Sequence, residues 1–421
     1  MTAGDHEAQL GAAAGITQNS LMRVRRPHEH HRVTYAELLF DLVFAFAVTQ
    51  ISHALLGDPT ALGLVHTTLL FLAVWWVWIY TSWITNWLDP ERFAVRMMLF
   101  ALMLGGLVLS SSIPKAFDSR GIAFAIAYTS MQVGRSFFMF YAIPATEGRL
   151  RRNFVRILVY LLVSGVFWLL GGFADGQARL YWWLAALAVE YVSPYANFWV
   201  PGLGASAVKD WTVEGGHMAE RCASFILIAL GESIVVTGAA FAGLSWTHAN
   251  IAAFASAFVA SLAMWWIYFH KGAEASAANI SNAADPGRIA RLAYTYLHMP
   301  IVAGIIVSAV GDDLALANPI GPNDLKTVLS LVGAPMLFLV GTVLFKQTIH
   351  GWYQLSHLVG IVVLLPLLWY GDLVSPLVLS VATTAVLVVV GVWEALSIGS
   401  KATLRRKELV RAQRMDREHS L

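Results

Sequence analysis

The chain has 421 residues, of which 57% are apolar and 13% charged, with a formal net charge of +2. A soluble chain of this size needs about a quarter of its residues charged to coat two or three domains. A soluble enzyme is therefore excluded, as are disorder, collagen and coiled coil, and the small net charge gives no footing for nucleic acid.

Residues 1–35 form a polar tail without the apolar core of a signal peptide, so the first apolar segment is expected to act as the insertion signal. Apolar runs long enough to cross a bilayer predict helices at 36–56, 62–84, 94–112, 121–143, 154–173 and 180–200. Six more follow at 222–243, 250–270, 289–310, 325–346, 352–371 and 375–396. The breaks carry turn signals such as Gly57-Asp58-Pro59, Asp89-Pro90, Pro114-Lys115 and Asp285-Pro286-Gly287. Backbone groups in lipid must be bonded within their own segment, and the alternating segments of a barrel are missing, so the expectation is an all-α integral membrane protein of 12 helices. Residues 397–421, with seven basic side chains from Lys401 to Arg417, read as a cytoplasmic tail on the inner leaflet.

Orientation follows from the loops. Of the 28 Lys and Arg residues, 23 fall on one side and four, Lys115, Arg120, Arg179 and Lys326, on the other. This bias puts both termini in the cytoplasm and the chain in the inner membrane. The single Cys222 excludes an internal disulfide.

Internal similarity divides the chain. Trp75-Trp76-Val77-Trp78-Ile79-Tyr80 is echoed by Trp265-Trp266-Ile267-Tyr268-Phe269-His270 at an offset of 190. Asp89-Pro90 with Arg92 is echoed by Asp285-Pro286 with Arg288 at 196, and Ala36-Glu37 by Ala219-Glu220 at 183. Ordered offsets of this kind predict two repeats of six helices, 36–205 and 206–396, related by an axis along the membrane normal. The competing account is that Trp-rich helix ends are interfacial aromatic belts.

Ionisable groups at bilayer depth are costly unless paired or wetted, which makes each a functional candidate. Glu37 and Asp41 share a face of the first helix. Counted from the cytoplasmic ends of their segments, Arg135, Glu190, Glu232 and His298 share a layer roughly 12–15 Å deep. Arg135 is expected in a structural ion pair with one carboxylate. The remaining acids then leave a negative centre suited to a cation or to protons. Glu232 follows Gly231, a site for close helix approach, and precedes Ser233. It is the expected proton relay, with His53, His66, His298 and His357 as further carriers and Pro300 opening the helix beside His298.

Other constellations carry nothing. His217 with Glu220, and the cluster His28-Glu29-His30-His31, supply no closed metal set. Pro201-Gly202-Leu203-Gly204-Ala205-Ser206 lacks the strand and lysine of a phosphate loop. No catalytic residue, cofactor or metal is assigned, and an enzyme is the less favoured reading.

The run from His31 to Ala47, with Tyr35-Ala36-Glu37 and Phe40-Asp41, resembles the opening signature of the bacterial low-temperature-requirement A family. Glu214-Gly215-Gly216-His217-Met218-Ala219-Glu220-Arg221, Ala229 to Val235, Thr85-Asn86 before Asp89-Pro90, and Tyr296-Leu297-His298 with Pro300 resemble it as well. The resemblance spans about residues 30–395 and implies a multipass membrane protein without a settled substrate or reaction. Arg32 ahead of Phe40-Asp41 and Val43-Phe44-Ala45 is fainter in its similarity to the two-repeat endolysosomal potassium channels, whose first helices line the pore. Here Leu39 replaces the motif's serine and the arginine spacing is longer.

The reading is thus a bilayer protein with a proton or monovalent-cation path between the first and seventh helices, through Glu37, Asp41, Glu190, Glu232 and His298. Self-association is left open. The rivals are a lipid-handling membrane enzyme and a stress-related sensor or scaffold.

Overall fold

A computed structural model describes residues 20–23, 32–207, 211, 213–270 and 286–418. The His28–His31 cluster, Lys209, Lys271 and Asp285 lie outside the described residues, as do the side chains of the basic run after Lys401. Among the described residues the long helices are, in order, α1 Tyr35–Gly57, α2 Ala61–Trp87, α3 Phe93–Ser112, α4 Gly121–Ala142, α5 Gly148–Phe173 and α6 Gly176–Val192. Then come α7 Gly215–Ala242, α8 His248–Phe269, a three-part α9, α10 Leu325–His350, α11 Leu355–Tyr370 and α12 Pro376–Glu418. The parts of α9 are Pro286–Ala290, a π-helical stretch Arg291–Tyr296, and His298–Ala317. Among the described residues there is no strand, only the isolated bridges Met22–Leu88 and Val200–Gly204.

Each predicted segment overlaps one of these helices, the one predicted at 180–200 only as far as Val192, and ten of the helical segments among the described residues are long and apolar enough to cross a membrane. The exceptions are α4, which is too polar, and α6, which has 17 residues. Several helix starts are fixed by side-chain caps. Thr34 and Glu37 form a reciprocal capping box at α1, while Thr60, Thr247 and Asp324 accept from backbone N–H groups of α2, α8 and α10 at 2.9–3.1 Å.

Two helices begin well before their predicted starts. α5 starts at Gly148 and α7 at Gly215 because charged residues there continue the helix instead of ending it. Arg156, Arg221 and Lys346, counted above as loop charge, are therefore buried within helices, and removing them leaves the basic excess in place.

The chain forms two compact units. The first comprises residues 1–232 and 273–299. In it α5 packs against both α4 and α6, and α1 against α3. Its core is aromatic: Trp75, Trp76, Trp78, Trp168 and Trp183 are at most 2% exposed. The first Trp run is thus core and not an aromatic belt, whereas Trp265 and Trp266 of the second run are 40% and 44% exposed.

The second unit comprises residues 233–272 and 300–421. There α8 packs on α12, and α10 on α11 and α12. Gly304 and Gly341 let α9 and α10 touch backbone to backbone. A Cβ at Gly304 would lie 2.7 Å from Phe338 N, and one at Gly341 would lie 2.8 Å from Ile301 N. Small residues at such crossings are how membrane helices gain packing without a hydrophobic driving force. Gly304→Ala should therefore destabilise the protein by about 1–3 kcal/mol. Gly134→Ala, where no atom lies within 4 Å of the added carbon, should not; thermal unfolding of the two variants in detergent compares them.

Candidate functional site

Helices α1 and α7 run alongside each other in the first unit, and the facing side chains form three tiers. In the first, Glu37 is fully buried and accepts from His217 Nε2 at 2.8 Å, from Arg23 Nη2 at 3.2 Å, and from Thr34 N at 2.9 Å. His217 presents Nδ1 to Asn86 Nδ2 at 3.4 Å, and Asn86 also donates to the carbonyl of Glu214 at 2.9 Å. Arg23 reaches this tier because residues 20–23 are tied to the end of α2, with Arg23 N on Trp87 O at 2.8 Å and Arg23 Nε on Leu88 O at 2.9 Å.

One turn further along each helix, Asp41 Oδ1 accepts from Arg221 Nη2 at 2.8 Å and from Trp78 Nε1 at 2.7 Å. The Asp41 and Arg221 side chains are both completely buried. Arg221 also donates to Ser82 Oγ at 3.2 Å, and its guanidinium lies 5.9 Å from the Phe40 ring and 5.8 Å from that of Trp78. Among the described residues Asp41 Oδ2 and Arg221 Nη1 have no hydrogen-bond partner.

Among the described residues the third tier has no base. Thr49 Oγ1 donates to Glu232 Oε1 at 2.5 Å, and both residues are half-buried. The three cross-helix pairs are separated in sequence by 180, 180 and 183 residues. Both helices therefore run in the same direction, and along α1 the third tier lies eight residues, about 12 Å, beyond the second.

Glu190 and Arg135 belong to a separate network in the same unit. Glu190 accepts from Ser164 Oγ at 2.6 Å, Trp168 Nε1 at 3.1 Å and Gln132 Nε2 at 3.4 Å, and from the Tyr128 hydroxyl at closer range. Arg135 makes no direct ion pair here. It donates to Thr81 Oγ1 at 2.8 Å, to Val77 O at 2.9 Å and to Gln132 Oε1, so Gln132 is the link between arginine and carboxylate.

His298 donates from Nδ1 to Ala293 O at 2.8 Å and so caps the π-helical stretch. Of the other histidines, His53 is exposed, His66 stacks on Phe117 at 3.7 Å, and His357 Nε2 lies 4.0 Å from Glu394. His217 and Glu220 diverge, Glu220 accepting from Val33 N at 2.9 Å, and do not share a ligand. Among the described residues no group of three or more His, Cys, Asp or Glu could hold a metal.

Two expectations need correction. Glu37 and Asp41 are not uncompensated acids, because Arg23, His217 and Arg221 meet them. Gly231 does not admit a neighbouring helix, since among the described residues no atom lies within 4 Å of where its Cβ would be. Reasoning from sequence also missed the Lys346–Glu394 ion pair of the second unit, at 2.7 Å.

A cavity of about 290 Å³ in the first unit, lined by Trp76, Tyr80, Trp83, Trp87, Trp211 and Arg291 among others, was missed as well. The π-helical stretch shapes it. Thr295 accepts from Trp83 Nε1 at 2.9 Å and, through its carbonyl, from Trp75 Nε1 at 2.7 Å. Trp76 Nε1 is buried without a partner.

A family model described as bacterial low temperature requirement A protein matches residues 32–392. The chain is 38% identical over 369 residues to an uncharacterized protein of Rhizobium meliloti (strain 1021), covering 87% of this chain and 90% of that one. No solved structure matches. The segments quoted for the resemblance converge in the fold: Glu37, Asp41, Asn86, His217 and Arg221 make up the first two tiers.

Removing one partner of a buried pair leaves the other charge uncompensated, at about 3–5 kcal/mol. Asp41→Asn and Arg221→Met should each cost about that much, and the double variant much less than their sum. Additive losses in thermal unfolding would show that the two groups do not stabilise each other.

Proposed function

Starting from the bacterial low temperature requirement A protein family, to which this chain belongs, we propose that this multipass helical membrane protein provides a path for protons or a monovalent cation along the α1–α7 seam. The single observation that supports this reading is Glu232: a half-buried carboxylate bonded to the Thr49 hydroxyl, past two tiers whose acids are matched by bases. An acid without a base, next to open space at Gly231, is suited to taking up and releasing a cation. In this scheme the Asp41–Arg221 pair, its charges spent on each other, closes the seam at the second tier, and Glu232 is the binding group. Glu190 and His298 serve as a positioning network and a helix cap.

The reading includes 12 crossings, two six-helix repeats at 36–205 and 206–396, and both termini in the cytoplasm at the inner membrane. It is supported by offsets of 180–183 between the facing residues of α1 and α7, close to the 183 read between Ala36-Glu37 and Ala219-Glu220. A homo-oligomer is compatible with it. The test is flux into proteoliposomes, followed with a pH-sensitive dye and with labelled sodium and potassium. Wild type should conduct one of these ions, Glu232→Gln should lower the flux about tenfold or more, and Thr49→Val should lower it less. No flux under any gradient removes the proposal, and equal flux from Glu232→Gln removes Glu232 from it.

The aromatic cavity favours a second reading, binding of an amphiphile with an anionic head. It has ligand-like size, Arg291 lies on its lining with its guanidinium donating to Pro194 O at 3.0 Å, and among the described residues Trp76 Nε1 has no acceptor. Saturable quenching of tryptophan fluorescence by such an amphiphile, lost in Arg291→Ala, is the expected result. Quenching that is unchanged in the variant removes the site.

A further inference from the structure

Within the second unit Asp312 lies on α9, 5% exposed, on the lining of a small cavity of about 10 Å³, room for one water-sized occupant. Ser308, one turn earlier on α9, is also on the lining, and Asp312 Oδ2 has no hydrogen-bond partner among the described residues. The rest of the polar lining is oxygen: Ser330 on α10, and Ser380, Thr383 and Thr384 on α12. Pro335 sits inside α10 and has no N–H, so the carbonyl of Leu331, also on the lining, is left without its helical donor. α10 stays continuous through Pro335, and a carbonyl without its helical donor is a group that can coordinate a small cation, as unwound segments do in other membrane folds.

Among the described residues the charges around the cavity leave Asp312 without a base. Asp313, next in the chain, adds negative charge. Lys346 lies on α10, 11 residues or roughly 16 Å beyond Pro335. It is spent on Glu394 of α12 at 2.7 Å and on Ile267 O at 2.8 Å. Lys326, at the exposed start of α10, pairs with Asp324 at 3.5 Å. α8 contributes no charged side chain to the lining.

We propose that this cavity binds one small monovalent cation of sodium size, held by the Asp312 carboxylate, the surrounding hydroxyls and the Leu331 carbonyl. Hard oxygen donors suit an unpolarisable cation, a single carboxylate balances one positive charge and not two, and the small volume disfavours a larger ion. The proposal does not rest on the α1–α7 seam. Binding is measured without flux, so a failed flux assay leaves it intact.

The experiment uses the purified full-length chain in detergent, titrated with sodium chloride against choline chloride at constant ionic strength, with thermal unfolding and calorimetry as readouts. Wild type should show a saturable stabilisation by sodium that potassium reproduces only weakly. Asp312→Asn should abolish it, and Ser308→Ala, which leaves the carboxylate in place, should weaken affinity about tenfold. The milder variant keeps the test decisive should Asp312→Asn fail to fold. Stability that does not respond to sodium, or a response unchanged in Ser308→Ala and Asp312→Asn, overturns the site. A response to pH alone assigns the cavity to a water or a proton and overturns it equally.

Discussion

A charge taken out of water has to be met by another charge or by several donors, and in this protein that requirement decides which helices are neighbours. The Asp41–Arg221 pair is the sharpest case. Each side chain is fully buried, and the single 2.8 Å contact between them is reinforced by Trp78 on the acid, by Ser82 on the base, and by the Phe40 and Trp78 rings beside the guanidinium. A bidentate arrangement would have satisfied the remaining atoms, but Asp41 Oδ2 and Arg221 Nη1 are left over. The pair is thus obligatory without being optimal: neither charge is stable there alone, and their geometry holds α1, α2 and α7 together.

Glu190 meets the same requirement by a different route. Four neutral donors from α4 and α5 surround it, and the nearby arginine is joined to it through Gln132 instead of by direct contact. Distributing a carboxylate's charge over hydroxyl, indole and amide donors avoids the loss of freedom that a long side chain would suffer in a direct pair. The outcome is a polar core in the middle of a helix cluster that is otherwise aromatic.

The helices were legible because long apolar runs are a strong signal. Their ends were less so, because a hydropathy reading treats each arginine as a loop residue. Arg156, Arg221 and Lys346 are helical because each finds a partner across the packing, a fact that no local window contains. A signal for the seam was nonetheless present. Glu37 and Asp41 are spaced by four, as are His217 and Arg221, so an acid-acid face on one helix and a base-base face on another were waiting to be matched. Asp312 escaped because the ninth segment was ended at residue 310, two positions too early, whereas the helix runs to Ala317. The opening of α9 beside His298 was readable from Pro300, which leaves the Tyr296 carbonyl without its helical donor, but not its π-helical form over Arg291–Tyr296, where Trp75, Trp83 and His298 bond to it as side chains brought there by the fold.

The direction of the seam also bears on how many times the chain crosses the bilayer. Because α1 and α7 run parallel, an even number of crossings separates their starts, so α4 and α6, the two helices that fall short as spans, must both cross or both fail to cross. The groups that make α4 too polar, Gln132 and Arg135 in particular, are turned inward onto Glu190 of α6 and Thr81 of α2, while Ile126 and Phe137 on its other side are 51% and 49% exposed. A helix whose polar atoms are bonded within the protein and whose outer face is apolar is acceptable to lipid whatever its average hydropathy.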